Sequence, residues 1–168
     1  MDIINKVKPK GYFIYRILGA LNNIIAILFL FSVIANLSAM GFFSSLLIPL
    51  FLSVCLLIYT NLTMVFARRV LAQQLPLKTK WLDWIRVNAY VTIGYAAILL
   101  FSMSAFLFNH QVSAAVVQIS KFPFAQLQKV AEFLLVCAIS LIIHVFFTFR
   151  YLKIYRSFFN EDATPQND

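Results

Sequence analysis

The side chains of this 168-residue sequence that could do chemistry are few and scattered. His144 lies six residues before Arg150, about 9 Å inside the end of an apolar run, while His110 stands just past the far end of the preceding one. A bis-histidine haem needs two ligands facing each other at one depth, so this spacing argues against haem b, and no cofactor is expected. Cys55 and Cys137 are each alone in an apolar stretch, without CxxC or metal-type spacing. They read as small packing residues, and no metal site is expected. Glu132 is the one acidic residue placed to sit within hydrocarbon. Facing a cavity it would be a proton-coupling group, with His144 as the other candidate. One turn from the start of its run, it reaches headgroup water or pairs with Lys129 at i−3 instead.

A second constellation is polar rather than reactive. Arg16, Asn22, Asn23, Asn61, Asn88 and His144 all fall roughly 6–15 Å inside the same boundary, counted from the end of each apolar run. Such groups are costly to bury unless they bond one another, at about 0.6–2 kcal/mol per interhelical bond. Arg16, Asn23, Asn61, Asn88 and His144 therefore mark either a structural polar layer that sets helix register or a small cytoplasm-facing pocket for a polar ligand or lipid headgroup. Asn22 and Asn61 point off the main polar stripes. The sequon matches at Asn36 and Asn61 fall too near the membrane or inside it, and read as chance. Asp83 by itself supplies no enzymatic motif, so no enzyme is expected.

The elements that must hold these residues follow from composition. The chain is 62% hydrophobic and 12% charged, with 18 Phe, too little polar surface to coat a water-soluble globule. Four apolar runs, at about 12–37, 42–67, 84–108 and 127–149, each exceed the ~20 residues that cross ~30 Å of hydrocarbon. Open strands would leave their backbone unsatisfied in lipid, so the runs are read as helices. The expectation is an all-α integral membrane four-helix bundle, one domain over 1–159, with a disordered acidic tail at 160–168. The connection at 109–126 is longer than needed and apolar, which suggests a short interfacial helix over Val112–Ile119, stopped by Phe122-Pro123.

Arg68, Arg69, Lys78, Lys80 and Arg86 crowd the only substantial polar interval between long runs and form a cytoplasmic anchor. With both termini cytoplasmic, Lys6, Lys8, Lys10, Arg16, Arg150, Lys153 and Arg156 join these five. That places twelve of the 14 Lys and Arg inside and leaves Lys121 and Lys129 outside. Trp81, Trp84, Tyr12, Tyr15, Tyr151 and Tyr155 would form an aromatic belt at that interface. Asp83 stands three residues before Arg86 and offsets its charge where the third run begins. The basic start, followed by an apolar run too long for a signal-peptide core, reads as an uncleaved signal anchor. A bacterial inner (plasma) membrane is the expected location. The net charge of +8 flanks apolar runs, where it meets anionic lipid headgroups rather than nucleic acid.

Small and weakly polar stripes predict which helix faces meet. These are Arg16, Gly19, Ala20, Asn23 and Ala26 in the first run, and Ser45, Pro49, Ser53, Thr60 and Thr63 in the second. In the fourth they are Cys137, Ser140, His144 and Thr148. The third run has two sides, Asp83, Arg86, Tyr90, Gly94, Ala97 and Ser104 against Asn88, Thr92, Tyr95 and Ser102, and is expected to be the most enclosed. Pro49 is expected to kink the second run by freeing the Ser45 carbonyl. The paired outer cysteines of thiol-oxidising quinone enzymes and of tetraspanins are absent, as is the first-span Glu of small multidrug exporters. The reading is a non-enzymatic accessory or interaction subunit, with a protein partner or a second copy of itself. The alternative is a small transporter or permeation subunit coupled through Glu132 or His144.

Overall fold

The computed structural model describes residues 11–40, 47–73, 75–120 and 122–160, and among them every regular element is helical. Lys6, Lys8, Lys10, Ser44, Ser45, Lys121 and the tail from Glu161 lie outside this set. Helix α1 spans Tyr12–Met40 and α2 spans Leu47–Phe66, continued by a π-helical turn at Ala67–Ala72. Helices α3 (Thr79–Phe108), α4 (His110–Ser120) and α5 (Phe124–Asn160) complete the chain. Four stretches, Tyr12–Leu37, Leu47–Ala72, Thr79–Phe108 and Phe124–Tyr155, are long and apolar enough to cross a membrane, the pattern of an integral membrane protein.

Local chemistry explains the breaks between these elements. The Asn109 side chain accepts the amides of Gln111 and Val112 at 3.0 and 3.3 Å, capping α4 while its own N–H closes α3 on Ala105. Helix α4 covers the segment where a short helix is expected. Pro123 needs no N–H partner at the head of α5, and its carbonyl accepts the amides of Gln126 and Leu127. Pro49 stands in the first described turn of α2, and Ser45, the residue whose carbonyl it would free, is outside the described residues.

Helices α1, α2, α3 and α5 form a closed ring in that order, each packed on two neighbours, with α4 lying against α3 and α5. In such a ring the two neighbours of a helix sit on one side of it, so opposite stripes cannot both turn inward. On α3 the inward side carries Leu82, Ile85, Asn88, Ala89, Thr92 and Ala96. Asp83, Tyr90 and Gly94 face out, and a Cβ added at Gly94 would meet nothing within 4 Å. Contrary to expectation, α3 is the least enclosed of the four, with 17% of its most apolar segment buried against 44% for that of α2. The inward side of α1 is also rotated from its expected stripe. Tyr15, Gly19, Asn22 and Ala26 are buried, while Arg16 and Ala20 lie toward the edge.

The core has two parts. One, midway along the bundle, packs Ala26, Leu56, Tyr59, Ala89, Ala96, Leu141 and Val145, where small residues let the helices approach. The other lies at the basic end, where α2 joins α3, and contains Tyr12, Tyr15, Phe66, Tyr151 and Tyr155. The expected tyrosine belt is therefore an interior cluster, with Tyr15 only 1% exposed, while Trp84 is 59% exposed and Trp81 also faces out. Tyrosine can fill this interior because its hydroxyl finds partners there. The Tyr155 hydroxyl, for example, accepts the Leu77 amide at 3.0 Å and donates to the Leu77 carbonyl at 3.4 Å, tying the α2–α3 connection to α5.

This packing separates two substitutions on one helix. Ala89→Leu overfills a closed contact and is expected to destabilise by about 1–3 kcal/mol. Gly94→Ala, with open space around it, is expected to stabilise by about 0.5–1 kcal/mol. Thermal unfolding in mild detergent distinguishes them by opposite shifts in Tm.

Candidate functional site

Spacing of four places Ser140, His144 and Thr148 on one side of α5, and all three are buried. The His144 side chain points into the ring with no exposure to solvent. Tyr15 of α1 lies flat against its imidazole, with ring centroids 4.7 Å apart and planes 11° apart. Tyr59 reaches across the ring from α2 and meets the imidazole edge-on at 5.6 Å. Three helices thus fix one imidazole.

The hydrogen bonds are all satisfied together when Nδ1 carries the imidazole proton. The Thr148 hydroxyl donates to the His144 carbonyl at 2.9 Å, and lies 2.9 Å from the Tyr59 hydroxyl and 3.1 Å from that of Tyr15. The Tyr59 hydroxyl is also 3.1 Å from His144 Nδ1. Three hydroxyl protons cannot serve four contacts; the fourth must come from the imidazole. Both tyrosines then donate to the two lone pairs of Thr148, and Nδ1–H donates to Tyr59. Nε2 is left as a bare lone pair. It is buried and has no partner.

Nε2 faces a cavity of about 190 Å³ at the basic end of the bundle. One wall is α1, with Tyr15, Arg16, Gly19 and Ala20, and the other is α2 with its π-helical turn, with Thr63, Met64, Ala67 and Arg68. Gly19 keeps the approach to the imidazole open, since a Cβ there would lie 3.2 Å from Nε2. Arg16 and Arg68 are both exposed. Arg16 donates to the Tyr12 hydroxyl at 3.4 Å and sits 5.7 Å from that ring, while Arg68 has no hydrogen bond or ion pair among the described residues.

One turn farther from the basic end the interior closes. Ser140 donates to the Asn22 side chain at 2.9 Å, and the Asn22 amide reaches the Ser140 carbonyl at 3.5 Å. Asn23 donates to Thr60 at 3.1 Å, and Thr60 to the Leu57 carbonyl at 3.1 Å. These pairs satisfy groups that would otherwise be costly to bury.

The residues singled out from sequence are distributed unevenly around this site. His144 is its floor, Arg16 lies on its wall, and Asn23 belongs to the closing layer. Asn88 is buried in α3 but bonds the Trp84 carbonyl of its own helix. Asn61 is exposed and bonds the Leu57 carbonyl, so it stays outside the interior. Glu132 is exposed on α5 toward its α4 end and accepts from Gln128 at 2.9 Å, rather than from Lys129. It shares no cavity with His144. Of the anchor residues, Arg68 reaches the cavity, Arg86 pairs with Asp83 at 3.3 Å, and Arg69, Lys78 and Lys80 are exposed. Cys55 and Cys137 are free thiols in the packed interior. Among the described residues no three His, Cys, Asp or Glu side chains gather as metal ligands would. Tyr15, Gly19 and Tyr59 were not singled out as site residues in sequence. Gly19, Ala20, Thr63 and Thr148 do stand in the small and polar stripes expected to face inward, while Tyr15 and Tyr59 stand in none.

A second cavity of about 270 Å³ lies against α4, lined by His110, Ser113, Ala114, Val117 and Phe124. Its lining is mostly apolar, and His110 is exposed. No protein-family model, curated protein or solved structure matches this chain.

The junction predicts an order of stability. Tyr59→Phe strands both Nδ1–H and a Thr148 lone pair, and is expected to cost about 1–3 kcal/mol. Tyr15→Phe removes one bond and keeps the stack, at about 0.5–1.5 kcal/mol. Denaturant or thermal unfolding of the two variants checks the ranking.

Proposed function

We propose that this chain is a four-span integral membrane protein of a bacterial inner membrane, with both termini cytoplasmic, and that it serves as a non-enzymatic accessory or interaction subunit. In this reading it holds a small polar ligand or lipid headgroup in the cavity on His144. The observation that carries it is the shape of that cavity. It opens between α1 and α2 and ends at an unpaired Nε2, while the Asn22–Ser140 and Asn23–Thr60 pairs occupy the interior beyond it. A site of that form admits a ligand from one end and offers it no path through the bundle.

The orientation rests on charge. The cavity lies at the end that carries Arg16, Arg68, Arg69, Lys78, Lys80 and Arg86, and such residues stay on the cytoplasmic side. There they also face anionic headgroups, each worth about 1 kcal/mol near the surface. Transport coupled through Glu132 or His144 has less support, because Glu132 is exposed and lines no cavity with His144, and beyond His144 the Asn22–Ser140 and Asn23–Thr60 pairs fill the interior.

Two measurements test this reading. Single cysteines at Lys78 and Gln111 are expected to be labelled by an impermeant reagent from opposite sides of the membrane; labelling from the same side overturns the orientation. Proteoliposomes holding a pH-sensitive dye are expected to leak protons no faster than empty vesicles. A leak abolished by Glu132→Gln would replace retention with transport.

A further inference from the structure

The groups facing the cavity describe a ligand. With its Nδ1 proton given to Tyr59, the imidazole offers Nε2 only as an acceptor, so the matching atom must donate: a hydroxyl or an ammonium. Arg16 and Arg68 line the same cavity from opposite walls. Neither has a carboxylate partner among the described residues, since Asp83 is taken by Arg86 and Glu132 bonds Gln128 toward the other end of α5. Two guanidinium groups lining one cavity suit an anion there. A phosphate presents its oxygens tetrahedrally and can meet guanidinium groups from two walls, whereas a carboxylate holds its two oxygens in one plane. The volume of about 190 Å³ far exceeds the ~15 Å³ that admits a single water.

We propose that this cavity binds a phosphate group with a hydrogen-bond donor beside it, the chemistry shared by a phosphoglycerol lipid headgroup and by a soluble glycerol phosphate. Arg16 and Arg68 hold the phosphate, and the neighbouring hydroxyl donates to His144 Nε2 across the gap left by Gly19. The inference rests on the binding reading above and specifies what is bound. The π-helical turn contributes by carrying Arg68 on the cavity wall, and such turns are frequent at functional sites.

The test uses the full chain, reconstituted in vesicles of equal parts phosphatidylcholine and phosphatidylglycerol, then released in mild detergent and weighed by native mass spectrometry. Phosphatidylglycerol is expected to be retained in preference to phosphatidylcholine, which has the phosphate but no donor. Arg68→Gln, at an exposed position outside the core, is expected to lower retention about tenfold. Gly19→Ala, which places a methyl group beside Nε2, is expected to lower it with Arg68 unchanged. Retention that resists glycerol 3-phosphate identifies the lipid as the source, and displacement by glycerol 3-phosphate identifies a soluble ligand. Equal retention of the two lipids together with no binding of glycerol 3-phosphate overturns the proposal, as does binding of either ligand that is unaffected by Arg68→Gln.

A separate readout distinguishes failure of this inference from failure of the binding reading. Met64→Cys on the cavity wall is scored by mass with a small soluble maleimide, against the unmodified chain with its buried Cys55 and Cys137. Labelling without any phosphate ligand leaves a cavity for some other ligand and overturns only the phosphate assignment. No labelling of Met64→Cys overturns both.

Discussion

The hydroxyl of Thr148 joins three of the four ring helices. It bonds its own helix through the His144 carbonyl and receives Tyr15 from α1 and Tyr59 from α2. Away from water an unpaired hydroxyl is costly and a satisfied network is correspondingly specific. Sliding any one of these helices by a turn would strand several groups together. Apolar packing adds to this register where small residues such as Ala26, Ala89 and Ala96 let the helices approach.

The same junction sets the chemistry of the site. By taking the Nδ1 proton, Tyr59 makes His144 an acceptor toward the cavity, and the flat stack of Tyr15 fixes the ring plane. Gly19 and the π-helical turn then decide what can approach, the first by leaving space and the second by carrying Ala67 and Arg68 on the wall. Structural layer and pocket were alternatives for the inner polar residues. Geometrically both are present: Asn22, Asn23, Thr60 and Ser140 close among themselves, while His144 keeps one atom unused.

Much of the fold was legible because lipid and water demand different surfaces. The four long runs, the short helix after Asn109 and the small-residue side of α5 all follow from hydropathy and a 100° step. Two readings failed for physical reasons. Tyr12, Tyr15, Tyr151 and Tyr155 have the composition of an interfacial belt, yet an amphipathic ring suits either an interface or a core that supplies hydroxyl partners, and here the core supplies them. The two polar sides of α3 both suggested contact, but a ring of four helices gives each member neighbours on one side only, so the side with Asp83, Tyr90 and Gly94 stayed outward.

Sequence by itself determined which segments are helical and apolar, where positive charge accumulates, and that His144, Ser140 and Thr148 share one side of a helix. These depend on composition and on periodicity within single elements. Only the tertiary structure decided that Tyr59, 85 residues away, meets His144, that Gly19 faces Nε2, and that Asn61 lies outside the interior it was expected to join. Those facts depend on how each helix is rotated about its axis and which helices sit across the ring. Rotation is settled by satisfying the hydroxyls of Tyr15, Tyr59 and Thr148 together with the Asn22–Ser140 pair, a condition written into no single stretch of the chain.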